Sequence, residues 1–175
     1  MAAIVHTTID SPVGPLRLCA TDTHLTRIDF VHGRKITPLP ADAIAVTPAQ
    51  DHPVFAEATR QLAEYFAHQR QTFDLPLAPE GTDFQLRVWE QLRRIPYGTT
   101  ISYGQLAQRL GQPNASRAVG LANGSNPLSI VVPCHRVIGA DGSLTGFGGG
   151  IDTKRQLLTL EAPSLFRQAE LGQLA

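Results

Sequence analysis

The chain offers little for a membrane, a disulfide frame or a metal to act on. It has two cysteines in 175 residues, Cys19 and Cys134. Two are too few for a disulfide framework, and a reducing, intracellular setting follows. There is no Cys-x-x-Cys pair and no His-Glu-x-x-His pattern, and the six histidines are scattered. Neither a metal nor a cofactor is therefore expected. No apolar run reaches the roughly eighteen residues of a membrane span. Residues 1–10 lack the basic region and apolar core of a secretory signal. The expectation is a cytoplasmic protein, long enough for one good core or two small ones. Formal net charge is zero, which at first argues against nucleic acid.

The distribution of charge argues the other way. Residues 1–81 hold six Lys/Arg and nine Asp/Glu, a net of −3. Residues 84–140 hold six arginines and only Glu90 of the opposite sign, a net of +5. A basic segment of this kind fits an electrostatic footprint for phosphate, and equally an ordinary solvated face.

The first part of the chain reads as a small antiparallel sheet with a helix. Residues 4–10 and 16–20 are strand-like around the turn Ser11-Pro12-Val13-Gly14, and 25–30 alternates as a third strand. Cys19 has no polar motif around it and is assigned to packing. Residues 33–49 have no period and are expected to be a loop. Asp51 before Pro53 marks a helix start, and Phe55, Ala58, Leu62, Tyr65 and Phe66 recur at helical spacing. Residues 69–81, with two prolines and a glycine, read as a linker. Two domains are expected, 1–81 and 82–175.

The second part is mainly helical. Thr82 is a natural cap for a helix burying Phe84, Val88, Trp89, Leu92 and Ile95, stopped by Pro96-Tyr97-Gly98. Ser102 caps a second helix with Tyr103, Leu106, Ala107 and Leu110 on one face, ended by Gly111. A three-residue turn, 112–114, leads to a short helix over 115–122. That order is the pattern of a helix-turn-helix. The second of these helices carries Ala115, Ser116, Ala118, Gly120 and Ala122, with Arg117 the only long side chain of its first turn. A major-groove reader presents several long polar side chains. Small residues suit close approach to a minor groove. A final helix is expected over 152–161, with Asp152 as its cap. It places Glu161 at the end where the helix dipole disfavours an acid, so something else should hold it.

The chemistry sits in residues 130–138. Ile130-Val131-Val132 leads in, Val137-Ile138 leads out, and Pro133-Cys134-His135-Arg136 interrupts what would otherwise be a buried strand. Pro133 cannot donate a ladder hydrogen bond. His135 and Arg136 are cationic or potentially so, and both would favour the thiolate, the nucleophilic form. On a strand, Cys134 and His135 would face opposite ways, with a water as the natural bridge. The glycine-dense stretch Gly139–Gly150 allows close backbone approach to a ligand and is expected to wall a pocket.

Pro133-Cys134-His135-Arg136-Val137 resembles the acceptor-cysteine motif of the O6-alkylguanine-DNA alkyltransferases, the methylated-DNA–protein-cysteine methyltransferases. The segments around Tyr103, Arg117, Asn126 and Glu161 resemble that family as well. The resemblance implies an α+β chain. Its N-terminal domain would be ribonuclease-H-like, a small antiparallel sheet plus helix. Its helical C-terminal domain would carry a winged-helix-like helix-turn-helix. The ribonuclease carboxylate cluster is not apparent, so no nuclease activity follows.

The resemblance further implies that Cys134 accepts an alkyl group once and irreversibly, with Glu161 orienting His135. Tyr103 would crowd the target phosphate and hydrogen-bond the base. Arg117 would fill the stack vacated by the flipped nucleotide, flanked by Ser116 and Ala118 on the same helix. Asn126 would brace the helix-turn-helix against the site. Pro133, Val137, Phe147 and Gly148 would line the base pocket, Phe147 standing where the family usually has Tyr. The partner would be double-stranded DNA held by its minor groove, and the protein a monomer. Two other readings stand beside this one: a Cys–His hydrolase, and a lesion-binding protein that transfers nothing, against which the acceptor thiol itself counts.

Overall fold

The computed structural model describes residues 2–166. These fall into two units. One is formed by the described residues up to 81 with 127–131, the other by 82–126 with the described residues from 132 onward.

The first unit is built on a four-stranded sheet. Strands β1 (Val5–Ile9), β2 (Leu16–Ala20) and β3 (Leu25–Phe30) form the antiparallel meander that the alternation predicts, with Thr7 opposite Leu18 and Leu18 opposite Ile28. Gly14 turns the first hairpin at φ 94°, and Ser11 Oγ donates to its carbonyl at 2.6 Å. A fourth strand, β4 (Ile44–Ala45), lies parallel to β1 at the far edge, giving the order β3-β2-β1-β4. It falls inside the stretch expected to be a loop. Two exposed residues are too short to show a period, so this strand is set by its neighbour rather than by its own sequence.

Helix α1 (Pro53–Phe66) buries Val54, Phe55, Ala58, Leu62 and Tyr65, and with Leu16, Leu18, Leu25 and Ile28 these make the core. Its N-cap is His52, not Asp51, which closes a 3-10 turn over Ala49–Asp51. The expected linker is partly bound to this unit. Leu25 N donates to Pro76 O at 2.8 Å and Ala78 N to Leu25 O at 2.9 Å. Buried Gln61 exchanges two hydrogen bonds with the backbone of Asp74. Residues 127–131 also join this unit, Ile28 N donating to Pro127 O at 2.8 Å. Ile130, β-branched and buried, turns there at φ 74°, a strained conformation for such a residue.

The second unit holds α2 (Asp83–Leu92), α3 (Tyr103–Arg109), α4 (Ser116–Gly124) and α5 (Ile151–Glu161), with a two-stranded parallel ribbon of β5 (Ile101–Ser102) and β6 (Val137–Ile138). Thr82 and Ser102 each close a full capping box, with Gln85 and Gln105 returning the bond. Of the expected α2 face, Val88, Trp89 and Leu92 are buried and Phe84 is partly exposed. Trp89 Nε1 donates to Ala122 O at 2.8 Å, fixing α2 on the end of α4. Gly111 ends the α3 segment at φ 70°. The α3–α4 connection runs over 110–115, longer than the three-residue turn expected, because α3 already ends at Arg109 and α4 begins only at Ser116. Helix α5 is capped by Gly150 at φ 92°, not by Asp152, which lies exposed in its first turn beside Arg155. The sequence after Ala162 carries no motif and reads as a loose tail; most of it, 167–175, lies outside the described residues.

Candidate active site

Residues 130–138 are not an interrupted strand. Only Val137 and Ile138 are in β6. Cys134–Arg136 form a single 3-10 turn, in which Cys134 N bonds Val132 O at 2.8 Å and Arg136 N bonds Pro133 O at 3.0 Å. Three polar side chains in a row would leave a strand with one of them facing an apolar layer. The turn fans all three into the second unit instead, and all three are buried.

Glu161 gathers two of them. His135 Nε2 donates to its Oε1 at 2.7 Å, and Arg136 donates from Nε and Nη2 to Oε2 and Oε1 at 2.9 and 2.8 Å. This is what holds an acid at the last residue of α5 against the helix dipole. Arg136 Nη1 also bonds Ile95 O at 2.7 Å, and its guanidinium lies 5.7 Å from the Tyr97 ring centre. Gly98, at φ 75°, brings the chain so close to α5 that a Cβ would meet Glu161 O at 3.2 Å. Its N–H adds a long bond to Oε2, 3.4 Å. Burial works to raise the Glu161 pKa, but the bonds from His135 and Arg136 outweigh it and hold the carboxyl far below the usual range.

Burial drives the His135 pKa down, against the hydrogen bond and charge of Glu161, so the resting imidazole is neutral. A carboxylate only accepts, so the one proton of that neutral ring is on Nε2 and the lone pair on Nδ1. Nδ1 is buried and has no hydrogen-bond partner in the protein. A base with its back to a carboxylate and its front unoccupied thus sits one residue from the thiol.

Burial pushes the Cys134 thiol up, ahead of a lowering hydrogen bond from Asn126 and the charge of Lys154. Cys134 therefore rests as the thiol. Arg136 does not supply the expected activation, since its charge is spent on Glu161. The cation coupled to the thiol is Lys154, which residue-by-residue reading of the motif missed. Lys154 is 0% exposed and donates to Val137 O at 2.7 Å and Thr145 O at 2.9 Å. Its signal was present in α5, where Lys154, Leu157, Leu158 and Glu161 share one buried stripe.

Helix α4 ends against the same turn. Asn126 Nδ2 donates to Val132 O at 2.8 Å, and Asn123 Nδ2 makes a long bond to Cys134 O, 3.4 Å. No motif in the sequence points to Asn123. Tyr103, first residue of α3, is partly exposed, and its ring would lie 3.7 Å from a Cβ on Gly120 of α4. Thr145 Oγ1 donates to its hydroxyl at 3.1 Å, linking the glycine-rich loop to α3. Phe147 is buried and Gly148 exposed with open space around it. Pro133 and Val137 flank the turn and are buried. Arg117 and Ala118 lie on the exposed face of α4, away from this cluster, with Ser116 half-buried at its start. Leu121, one turn beyond Arg117, is 71% exposed on that face.

The second unit thus pairs a buried thiol and an oriented base with an exposed helix of small residues, the build of a group-transfer protein with a nucleic-acid face. The comparisons with known proteins make this specific. The family model described as 6-O-methylguanine DNA methyltransferase, DNA binding domain, matches residues 83–163, and that of the ribonuclease-like domain of the same methyltransferase matches 4–79. The chain belongs to the 6-O-methylguanine DNA methyltransferase family.

Among curated relatives, the methylated-DNA–protein-cysteine methyltransferase of Methanosarcina barkeri is 50% identical over 157 residues, covering 90% of this chain and 96% of its own length. That of Mycobacterium tuberculosis is 50% identical over 163 residues, covering 90% and 92%. The crystal structure of Mycobacterium tuberculosis OGT in complex with DNA superposes with a TM-score of 0.81 at 48% identity, covering 93% of this chain and 98% of that one.

Proposed function

We propose that this protein repairs DNA by moving the alkyl group of an O6-alkylguanine onto its own Cys134, once per molecule. The observation that carries this reading is the buried Nδ1 of His135, one residue from Cys134 and without a hydrogen-bond partner in the protein, with Nε2–H held on Glu161. Cys134 gives its proton, through a water, to Nδ1. The imidazolium so formed is stabilised by the Glu161 carboxylate. The thiolate sulfur attacks the alkyl carbon. The S–C bond forms as the C–O bond breaks, its electrons go to guanine O6, and the guanine takes up a proton and leaves. The product is a thioether, which this site has no group to cleave.

The alkyl group of O6-alkylguanine lies on the base-pairing edge, out of reach in a stacked duplex, so the nucleotide must be flipped. In this reading α3 and α4 are a helix-turn-helix that enters the minor groove. Small Ser116, Ala118 and Gly120 permit close approach, and exposed Arg117 occupies the vacated stack. Tyr103 hydrogen-bonds the base, and Asn126 braces α4 on the turn. Pro133, Val137, Phe147 and Gly148 line the base pocket. Residues 1–81 and 82–175 act as the two domains, and the protein works as an intracellular monomer. Among the described residues no helix is long and apolar enough to cross a membrane.

The test is to incubate the protein with duplex DNA carrying O6-methylguanine and weigh it. The expected result is one added methyl group per molecule, mapped to Cys134, after which reaction stops. Turnover beyond one equivalent, or the methyl group on Cys19, would overturn the reading.

A further inference from the structure

Lys154 is an uncompensated charge. An ammonium with no exposed surface normally has a carboxylate against it. Among the described residues no carboxylate pairs with Lys154, and its partners are two neutral carbonyls, Val137 O and Thr145 O. Glu161, two turns on along the same helix, is committed to His135 and Arg136.

We propose that Lys154 is the counter-cation of the Cys134 thiolate: the anion made on Cys134 is the charge partner this buried ammonium otherwise lacks, and the two carbonyl bonds fix the ammonium in place to meet it. The proposal rests on the alkyl-transfer reading of the site. It adds a source of stabilisation for the anion that the His135–Glu161 pair, which only removes the proton, does not supply.

The titratable groups on the elements around Lys154 support this assignment. Cys134 and His135 lie in the 3-10 turn, with Arg136 bonded to Glu161. Asp141, in the loop, is exposed and accepts from Ser143 N. Tyr103, heading α3, is bound to Thr145 Oγ1. Asp152 and Arg155, on its own helix, pair with each other. Burial drives the Lys154 pKa down to about 8, and the opposing influence is the charge of Cys134. Cys134 in turn is lowered by Lys154 against its own burial. At neutral pH the ammonium keeps its proton and moves none. A positive charge fixed beside the sulfur lowers the cost of the anion for as long as that anion lasts.

The bond pattern also makes Lys154 a positioning residue. It ties the first residue of β6 to the middle of the glycine-rich loop, and Thr145 passes the tie to Tyr103. A purely structural clamp would hold the loop and leave the thiol's titration alone. This separates the two roles.

The experiment measures the rate of iodoacetamide alkylation of Cys134 against pH, read by mass, in a Cys19→Ala background. It compares Lys154, Lys154→Met and Lys154→Arg, with methyl transfer from O6-methylguanine DNA measured in parallel. Lys154→Met is expected to raise the midpoint of Cys134 alkylation by about one pH unit or more, and to slow methyl transfer about tenfold at neutral pH. Lys154→Arg, which keeps the charge, should restore most of the midpoint. An unmoved midpoint in Lys154→Met, with methyl still arriving on Cys134, overturns the proposal and leaves the transferase reading intact. Absence of methyl on Cys134 in the unsubstituted protein overturns that reading instead.

Should Lys154→Met fail to fold, the reciprocal measurement decides. The Lys154 side-chain NMR signal of the unsubstituted protein should titrate at lower pH after Cys134 is methylated, because a thioether cannot become the anion. An unchanged titration would count against the pairing.

Discussion

Cys19 and Cys134 are alike in the features usually quoted for a reactive thiol. Both are free, both are buried, and burial pushes both pKa values up. Each belongs to a charged cluster: Arg17, Arg27 and Asp29 act on Cys19, and Lys154 acts on Cys134, whose turn also carries the Arg136–Glu161 pair. The difference lies in what those groups have left to give. Asp29 takes Arg17 at 2.7 Å and Arg27 at 3.0 Å, and Thr37 takes a further hydrogen bond from each arginine. The buried nitrogen without a partner there is Arg17 Nε, and a guanidinium nitrogen cannot accept a proton. Around Cys134, among the described residues, the buried atoms without a protein partner are Asn123 Oδ1 and His135 Nδ1, and the second is an imidazole nitrogen that can take up a proton. A thiol becomes a nucleophile where a base stands ready, not where charge is merely dense.

The largest effect that tests this contrast comes from replacing the two sulfurs in turn. Cys134→Ser should cut methyl transfer by at least about a thousandfold, since a hydroxyl is far harder to ionise, while duplex binding persists. Cys19→Ala should leave the transfer rate within about twofold and cost about 1 kcal/mol of stability in denaturant titration. If the two variants lost transfer equally, the contrast would collapse.

Next in size are the two carboxylates. Glu161→Gln removes the anion behind His135 and should slow transfer about a hundredfold. It also leaves Arg136 buried without its partner. Asp29→Asn does the same to Arg17 and Arg27. Both should lose about 3 kcal/mol or more of stability, and only Glu161→Gln should lose rate. A slow Asp29→Asn with normal stability would place the first unit in the chemistry.

A third substitution addresses the DNA face. Arg117→Ala should weaken repair of duplex DNA by about tenfold or more, and change reaction with free O6-methylguanine by less than about twofold, because only the duplex requires extrusion. Equal losses on the two substrates would remove Arg117 from that role.

Acid sharpens the comparison through the histidine of the second cluster. His135 is lowered in the folded protein, so folded His135 stays neutral where the unfolded chain has already taken up a proton. On this ground transfer to free base should not decline as pH falls to about 6.5, and should decline only below that. The second unit should also lose stability below about 6.5, as the unfolded state binds the extra proton. A rate that halved near the ordinary histidine value would mean that Glu161 outweighs burial.

What the sequence revealed follows how local each signal is. Thr82 with Gln85 and Ser102 with Gln105 are four-residue patterns that need nothing distant, and both caps form as read. The meander was legible because each strand alternates over five or six residues. Strand β4 was not, since Ile44 and Ala45 pair only because β1 is beside them. The acceptor segment reads as a strand from its β-branched flanks, and the structure makes it a 3-10 turn followed by two strand residues. Positive φ at Ile130 and the 3-10 turn are imposed by tertiary packing that overrides that propensity. Cys134, His135 and Glu161 could be named from the motif, but the resting thiol could not, because burial enters its pKa ahead of any neighbour. Lys154 escaped because lysine in a helix is read as solvent-facing until its place in the apolar stripe of α5 is noticed.

The smallest expected effect concerns Phe147. It is buried, and it stands in the stretch Gly146-Phe147-Gly148, which follows the Thr145 carbonyl held by Lys154. Its ring supplies an apolar wall in the proposed base pocket and has no proton to donate. Phe147→Tyr adds one hydroxyl to a wall already in place. A single neutral hydrogen bond contributes about 1 kcal/mol, which caps the gain at somewhat under tenfold. If the new hydroxyl finds no partner, its burial costs a similar amount and the rate falls by a like factor. Transfer measured on duplex DNA and on free base should move together, because the pocket is common to both. A gain well beyond tenfold would show that the hydroxyl carries a share of the chemistry this chain performs without it. The contrast between the two cysteines would then describe an impaired site rather than a complete one.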